Sequence, residues 1–169
     1  MRSFSEEIKM GTLELLLTRP ISLHRVVLGK YLGVVLLILI AVVPTLLYLL
    51  SIHYLGLPQG NWDLGSTLGS YFGLIFLILT YASIGVFASS LSGNQIVSFM
   101  VAAFGCFLFY FGFDALSELF STDIIGQIGL MSHFDSMARG VLDTRDLIYF
   151  VSVALLFLGL TQYRLASNR

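Results

Sequence analysis

The sequence predicts an all-α integral membrane protein: four transmembrane helices, a cytoplasmic interfacial helix before them, and an amphipathic outer-leaflet segment before the last helix. Two observations predict this class. Hydrophobic residues make up 57% of the 169 residues and charged residues 11%, with mean hydropathy +0.90, whereas soluble domains carry about 25% charged residues. So few charges cannot cover a water-facing surface. The apolar residues are also gathered into runs of span length, since a bilayer core of about 30 Å needs roughly 20 residues in a helix.

The runs occupy residues 26–52, 68–90, 96–113 and 147–163 of a single transmembrane domain, 1–169. After Tyr31 the first is interrupted only by Gly33, Pro44 and Thr45 up to Leu50, and Lys30 near its start can snorkel to the interface. Gly69 and Gly73 form a small-xxx-small pair in the second run, and Ser83, Ala88, Ala102, Ala103 and Gly105 enrich the middle two runs in small residues. Small residues let helices pack closely in lipid, so a packed bundle is expected.

Orientation follows from the basic residues. Arg2, Lys9, Arg19, Arg25, Lys30, Arg164 and Arg169, seven of the nine, flank the first and last runs. The loop 51–67 has none, and the segment 114–146 has only Arg139 and Arg145 against six acids. The positive-inside rule then makes both termini cytoplasmic, together with the connection Leu91-Ser92-Gly93-Asn94-Gln95. In the segment 114–146, Phe120, Ile124, Ile125, Ile128, Leu130 and Met131 interleave with Asp114, Glu118, Asp123 and Asp135. That pattern suits short amphipathic helices in the outer leaflet or a folded extracytoplasmic cap.

Met1 to Lys9 has acids where the apolar core of a signal peptide should begin. Ser3 followed by Glu6 fits a capping box, and a helix over residues 3–19 is expected. Phe4, Ile8 and Leu15 fall on one stripe, Met10, Leu13 and Leu17 on another, and Glu7, Gly11, Glu14 and Thr18 on a polar line between them. A helix lying on anionic lipid has a basic polar face. An acidic line suits a protein contact better, although a lead-in helix with solvated carboxylates gives the same pattern. Pro20 has no N–H to donate and turns the chain before the membrane.

Several chemistries find no residues to carry them. Gly29-Lys30 is followed by Tyr31 and lacks the earlier glycine of a P-loop. The lone Cys106, in an apolar run, supplies neither a disulfide framework nor a metal cluster. A net charge of −1 gives no footprint for nucleic acid. The Glu6-Glu7 pair suggests an intramembrane protease of the CAAX-processing kind, but Gly11 stands where that motif needs Arg, and His24, His53 and His133 are spread over both ends of the spans. No span has a central Asp, Glu, Lys or Arg, so there is no ion relay within the membrane.

Glu6-Glu7, the run Gly11-Thr12-Leu13-Glu14-Leu15-Leu16-Leu17-Thr18-Arg19-Pro20-Ile21-Ser22 and Gly29-Lys30 together resemble the segment after the second transmembrane helix of type-2 ABC transporter permeases. The closest likeness within them is to the gliding-motility-associated permease subunit. Further matches are Ser90-Leu91 with Asn94-Gln95, Phe134-Asp135, Arg139-Gly140-Val141-Leu142-Asp143 and Arg145-Asp146-Leu147. The resemblance implies a non-catalytic permease subunit of an ATP-driven exporter in the bacterial cytoplasmic membrane. It implies a separate cytoplasmic P-loop ATPase that carries ATP and Mg, a second permease subunit, and no cofactor on this chain. It places Glu6, Glu7, Gly11, Thr12, Glu14 and Pro20 in the coupling element that meets the ATPase. It also implies six helices, the first two of which would precede Met1. The alternative is a membrane scaffold or anchor without transport activity.

Overall fold

The computed structural model describes residues 2–12, 22–56, 63–120 and 126–167. Every regular element among them is helical: α1 (Arg2–Lys9), α2 (Leu23–Val42), α3 (Leu46–Leu55), α4 (Leu64–Leu91), α5 (Gln95–Phe107), α6 (Phe113–Phe120), α7 (Leu130–Ala138) and α8 (Thr144–Ala166). α2 and α3 join through a 3₁₀ turn at Val43–Thr45, and α5 and α6 through a π turn at Leu108–Gly112. Four continuous helices, Leu23–Leu55, Leu64–Leu91, Gln95–Phe120 and Thr144–Ala166, are long and apolar enough to cross a membrane. The chain is an all-α, multi-pass membrane protein.

Side-chain caps start three of the four spans' helices or their continuations. Asp63 Oδ1 accepts from the Gly65 and Ser66 amides at α4, Asn94 Oδ1 from Ile96 at α5, and Asp143 Oδ1 from Arg145 at α8. Each cap satisfies backbone donors that the first helical turn leaves open. The 3₁₀ turn within the first span contains Pro44, which has no amide hydrogen. There the Thr45 hydroxyl donates to Val42 O at 2.6 Å and the Tyr71 hydroxyl of α4 donates to Thr45 O at 3.1 Å. Such substitutes make a proline tolerable at membrane depth.

α4 is the hub, packed against α1, α2, α5, α7 and α8. Its small and hydroxylated residues Ala82, Ser83, Ala88, Ser89 and Ser90 are buried, so neighbouring backbones come close. Each serine hydroxyl is satisfied by a carbonyl one turn back, as in Ser83 to Thr80 O at 2.6 Å. Thr80 also reaches across to Phe150 O of α8 at 3.3 Å. In α5, Ala102 is buried but Ala103 faces outward.

At the basal end, Phe4 of α1 joins Val27, Tyr31 and Val35 of α2, Ala82 and Val86 of α4, and Leu158 and Leu165 of α8 in one buried cluster. At the distal end, α7 lies over the start of α4. A Cβ on Gly69 would stand 2.8 Å from Gly140 Cα and nearer still to Met137 O, and one on Gly73 would stand 3.1 Å from Met137 Cβ. The glycine pair therefore receives α7 and its terminal turn.

Two helical boundaries differ from the sequence expectation. The single helix expected over residues 3–19 is interrupted in its described part, and residues 13–19 lie outside the described residues: α1 already contains Ser3, ends at Lys9, and is followed by Gly11 at φ +68°, a left-handed conformation that glycine adopts at no steric cost. The third span does not stop at 113, because the π turn carries the helix on to Phe120. Polar residues such as Asp114 and Glu118 end an apolar run without ending a helix.

Candidate coupling site

The basal end brings together α1, the start of α2, the α4–α5 turn and the end of α8. α1 is fixed there first by apolar contact, with Phe4 fully buried in the basal cluster. Lys30, about two turns into α2, adds a polar hold. Its ammonium forms an ion pair with Glu7 and donates to the Ser3 carbonyl. It also stands 4.1 Å from the centroid of the Phe4 ring, a cation–π distance. One cation thus meets three successive parts of α1.

The other face of α1 rests on the α4–α5 turn. A Cβ on Gly93 would lie 3.3 Å from Ile8 Cγ2 and 3.4 Å from Lys9 N, so the bare glycine admits the end of α1. Beside this contact Glu6, Lys9, Gly93, Asn94, Gln95 and Ile96 line an open concavity of about 530 Å³. Glu6, Lys9, Asn94 and Gln95 are exposed. The mouth is polar and carries both signs of charge.

Of the coupling residues expected from sequence, Glu6 lies at this mouth, whereas Glu7 is half-buried and turned onto Lys30. The Glu6-Glu7 pair is therefore divided between an outward and an inward carboxylate. The Thr12 hydroxyl lies 3.4 Å from Glu7 O. Gly11 has no atom within 4 Å of a built Cβ, so within this chain its glycine serves the positive φ rather than a close approach. Glu14 and Pro20 lie outside the described residues. Lys30, Gly93 and Asn94 are the residues that sequence reasoning did not assign to the site. The available signal was a lone lysine inside an apolar span that follows an acidic helix.

The histidines do not gather at Glu6 and Glu7. His24 Nδ1 pairs with Gln162 Nε2 at 2.9 Å. His133 is at the distal end, with Nδ1 2.7 Å from Asp146 Oδ1, Nε2 2.9 Å from Gln127 O, and its ring stacked on Tyr149 at 4.0 Å. Among the described residues no group of three or more His, Cys, Asp or Glu side chains could hold a metal ion.

Comparison with known proteins found no match among curated proteins or solved structures. The family described as ABC-2 family transporter protein matches residues 1–165, nearly the whole chain. With its four spanning helices, the chain belongs to the ABC-2 transporter family, as a membrane permease component of an ABC transporter.

Proposed function

We propose that the chain is the permease subunit of an ATP-driven exporter, and that a separate cytoplasmic P-loop ATPase docks on α1 and the α4–α5 turn. The carrying observation is that α1 is held on two sides, by Lys30 of α2 and by Gly93 between α4 and α5. A push on α1 is then delivered to three spans at once, because packed helices move as bodies rather than deform continuously. ATP and Mg belong to the partner, and this chain supplies the lever.

The charge distribution supports a cytoplasmic basal end. Lys9, Arg25, Lys30 and Arg164 all belong to elements that meet there, while Arg139 and Arg145 belong to the distal end. Both termini are then cytoplasmic, in a bacterial inner membrane. The resemblance of the Glu6 to Ser22 segment to gliding-motility permease subunits supports that subtype and a pairing with a second permease subunit.

The test is co-purification of the permease with a P-loop ATPase expressed in the same cells. Glu6→Lys combined with Gln95→Arg changes the exposed mouth without touching the Lys30 contacts or the Asn94 cap, and like charges placed across an interface cost several kcal/mol. Loss of the ATPase from a correctly inserted permease is the expected result. Retained ATPase in this double variant overturns the reading.

A further inference from the structure

The short distal helix α7 is moored at both ends, and the two moorings differ in chemistry. Its C-terminal end sits on α4, where the Ser66 hydroxyl donates to Ala138 O at 2.7 Å and the glycine pair receives Met137 and Gly140. None of these groups titrates. Its leading end is tied to α8 through His133, whose ring stacks on Tyr149, while the Tyr149 hydroxyl donates to Ile128 O just ahead of the helix.

Both ring nitrogens of His133 face acceptors. Gln127 O, 2.9 Å from Nε2, is a carbonyl and can only accept, and Asp146 Oδ1 lies 2.7 Å from Nδ1. A neutral imidazole has one N–H and one lone pair. With its proton on Nε2, the Nδ1 lone pair is turned on a carboxylate; with the proton on Nδ1, the Gln127 carbonyl loses its ring donor. The two contacts together therefore need two protons on the His133–Asp146 pair, one more than a neutral histidine and an ionised aspartate carry. The count is the same whichever of Nδ1 and Oδ1 holds the shared proton. The Asp146 side chain is only 10% exposed and its Oδ2 has no partner among the described residues, so little water reaches the pair to replace the shared proton.

We infer that His133 and Asp146 form a proton-held clasp, which keeps the leading end of α7 on α8 in a mildly acidic medium and releases it as the pH rises. Opening leaves a neutral imidazole and a carboxylate and passes one proton to water. The closed form binds more protons than the open one, so raising the pH favours opening, by at most about tenfold per pH unit for a single proton. Imidazole is the side chain whose ordinary charge change falls between about pH 5 and 8, a range that a surrounding medium reaches. Asp143, Arg145 and Tyr149 of α8 share the clasp's concavity of about 420 Å³, and Asp114 of α6 lines the neighbouring one with Asp135 and Arg139. The ring nitrogens bond to none of these. Because the α4 mooring holds no titrating group, α7 swings on it rather than detaching. Both halves of the clasp lie within this chain, and the inference is independent of the ATPase coupling.

The experiment uses the full chain in nanodiscs, in a Cys106→Ala background. Leu130 opens α7 and is fully buried, whereas Leu142 is exposed. Maleimide alkylation of Leu130→Cys reports opening, and Leu142→Cys gives the reference rate at each pH. Between about pH 6 and about pH 9 the ratio of the two rates should rise roughly tenfold or more. Asp146→Asn should keep α7 closed and flatten this response, because an amide N–H can donate to Nδ1 of a neutral ring, and His133→Gln should flatten it as well. Ring-¹⁵N histidine spectra of the chain without the cysteine substitutions, with His133 identified as the signal lost in His133→Gln, should show two N–H groups on the ring at the lower pH and one at the higher. These spectra decide the matter alone if Leu130→Cys does not fold. A ratio that does not change with pH, an equal rise in Asp146→Asn or His133→Gln, or a His133 ring with a single N–H at the lower pH would each overturn the inference.

Discussion

Glu7 on α1 and Lys30 on α2 close an ion pair between the amphipathic first helix and the first span, with the same ammonium donating to Ser3 O and facing the Phe4 ring. Their side chains are 26% and 20% exposed, so neither charge is free to rehydrate fully when its partner is lost. A hydrogen bond to a charged group is worth about 1.5–3 kcal/mol. Lys30→Met and Glu7→Gln should each lower thermal stability in detergent by an amount of that order or somewhat less, and the double variant should cost less than the sum. Strict additivity would show that the two residues do not act on each other.

A second expectation concerns the seat of α7. Gly69→Ala drives a methyl group into the backbone of Met137 and Gly140, and overpacking of this kind typically costs about 1–3 kcal/mol. Gly159→Ala, at a helical glycine with no atom within 4 Å, should instead be neutral or slightly stabilising, because Ala exceeds Gly in helix propensity by about 1 kcal/mol. Unfolding midpoints of the two variants in the same detergent make the comparison. Equal effects would mean that α7 does not rest on α4.

The distal pair His133 and Asp146 gives a third. Asp146 is buried, its Oδ1 accepts from His133 and its Oδ2 has no partner among the described residues. His133→Ala leaves that carboxylate unpaired, and breaking a buried pair costs about 3–5 kcal/mol, reduced here because His133 is 19% exposed. Adding Asp146→Asn should recover part of the loss. A thermal-unfolding cycle measures it, and no recovery would contradict a direct pairing.

Much of the fold was legible because lipid imposes length and apolarity on each span, so four runs in the sequence became four helices. What escaped was non-local. Nothing near Glu7 reveals that Lys30, 23 positions later, turns its carboxylate inward. Gly69 and Gly73 were readable as a close-packing pair, but their partner proved to be a short distal helix at Met137. The break at Gly11 depends on a backbone angle that a run of helix formers conceals. The mouth of the candidate coupling site was missed because it too is non-local: Asn94 caps α5 and shares a concavity with Glu6 only where α1 packs against Gly93.

Sidedness has a direct check. In a Cys106→Ala background, a single cysteine at Asn94 should be protected from an impermeant thiol reagent in intact cells, and one at Leu142 should react. Both positions are exposed, so protection reports the membrane rather than burial. Labelling of residue 94 from outside would reverse the orientation.

The claim that α1 and the α4–α5 turn receive an ATPase is tested most directly by site-specific photocrosslinking in cells that express both chains. A photoreactive residue is placed singly at Glu6, at Asn94, and at Leu119 and Val141 of the distal end. The account predicts ATPase adducts from positions 6 and 94 and none from 119 and 141. An ATPase that crosslinks to the distal positions, or to none of the four while still co-purifying, would contradict it.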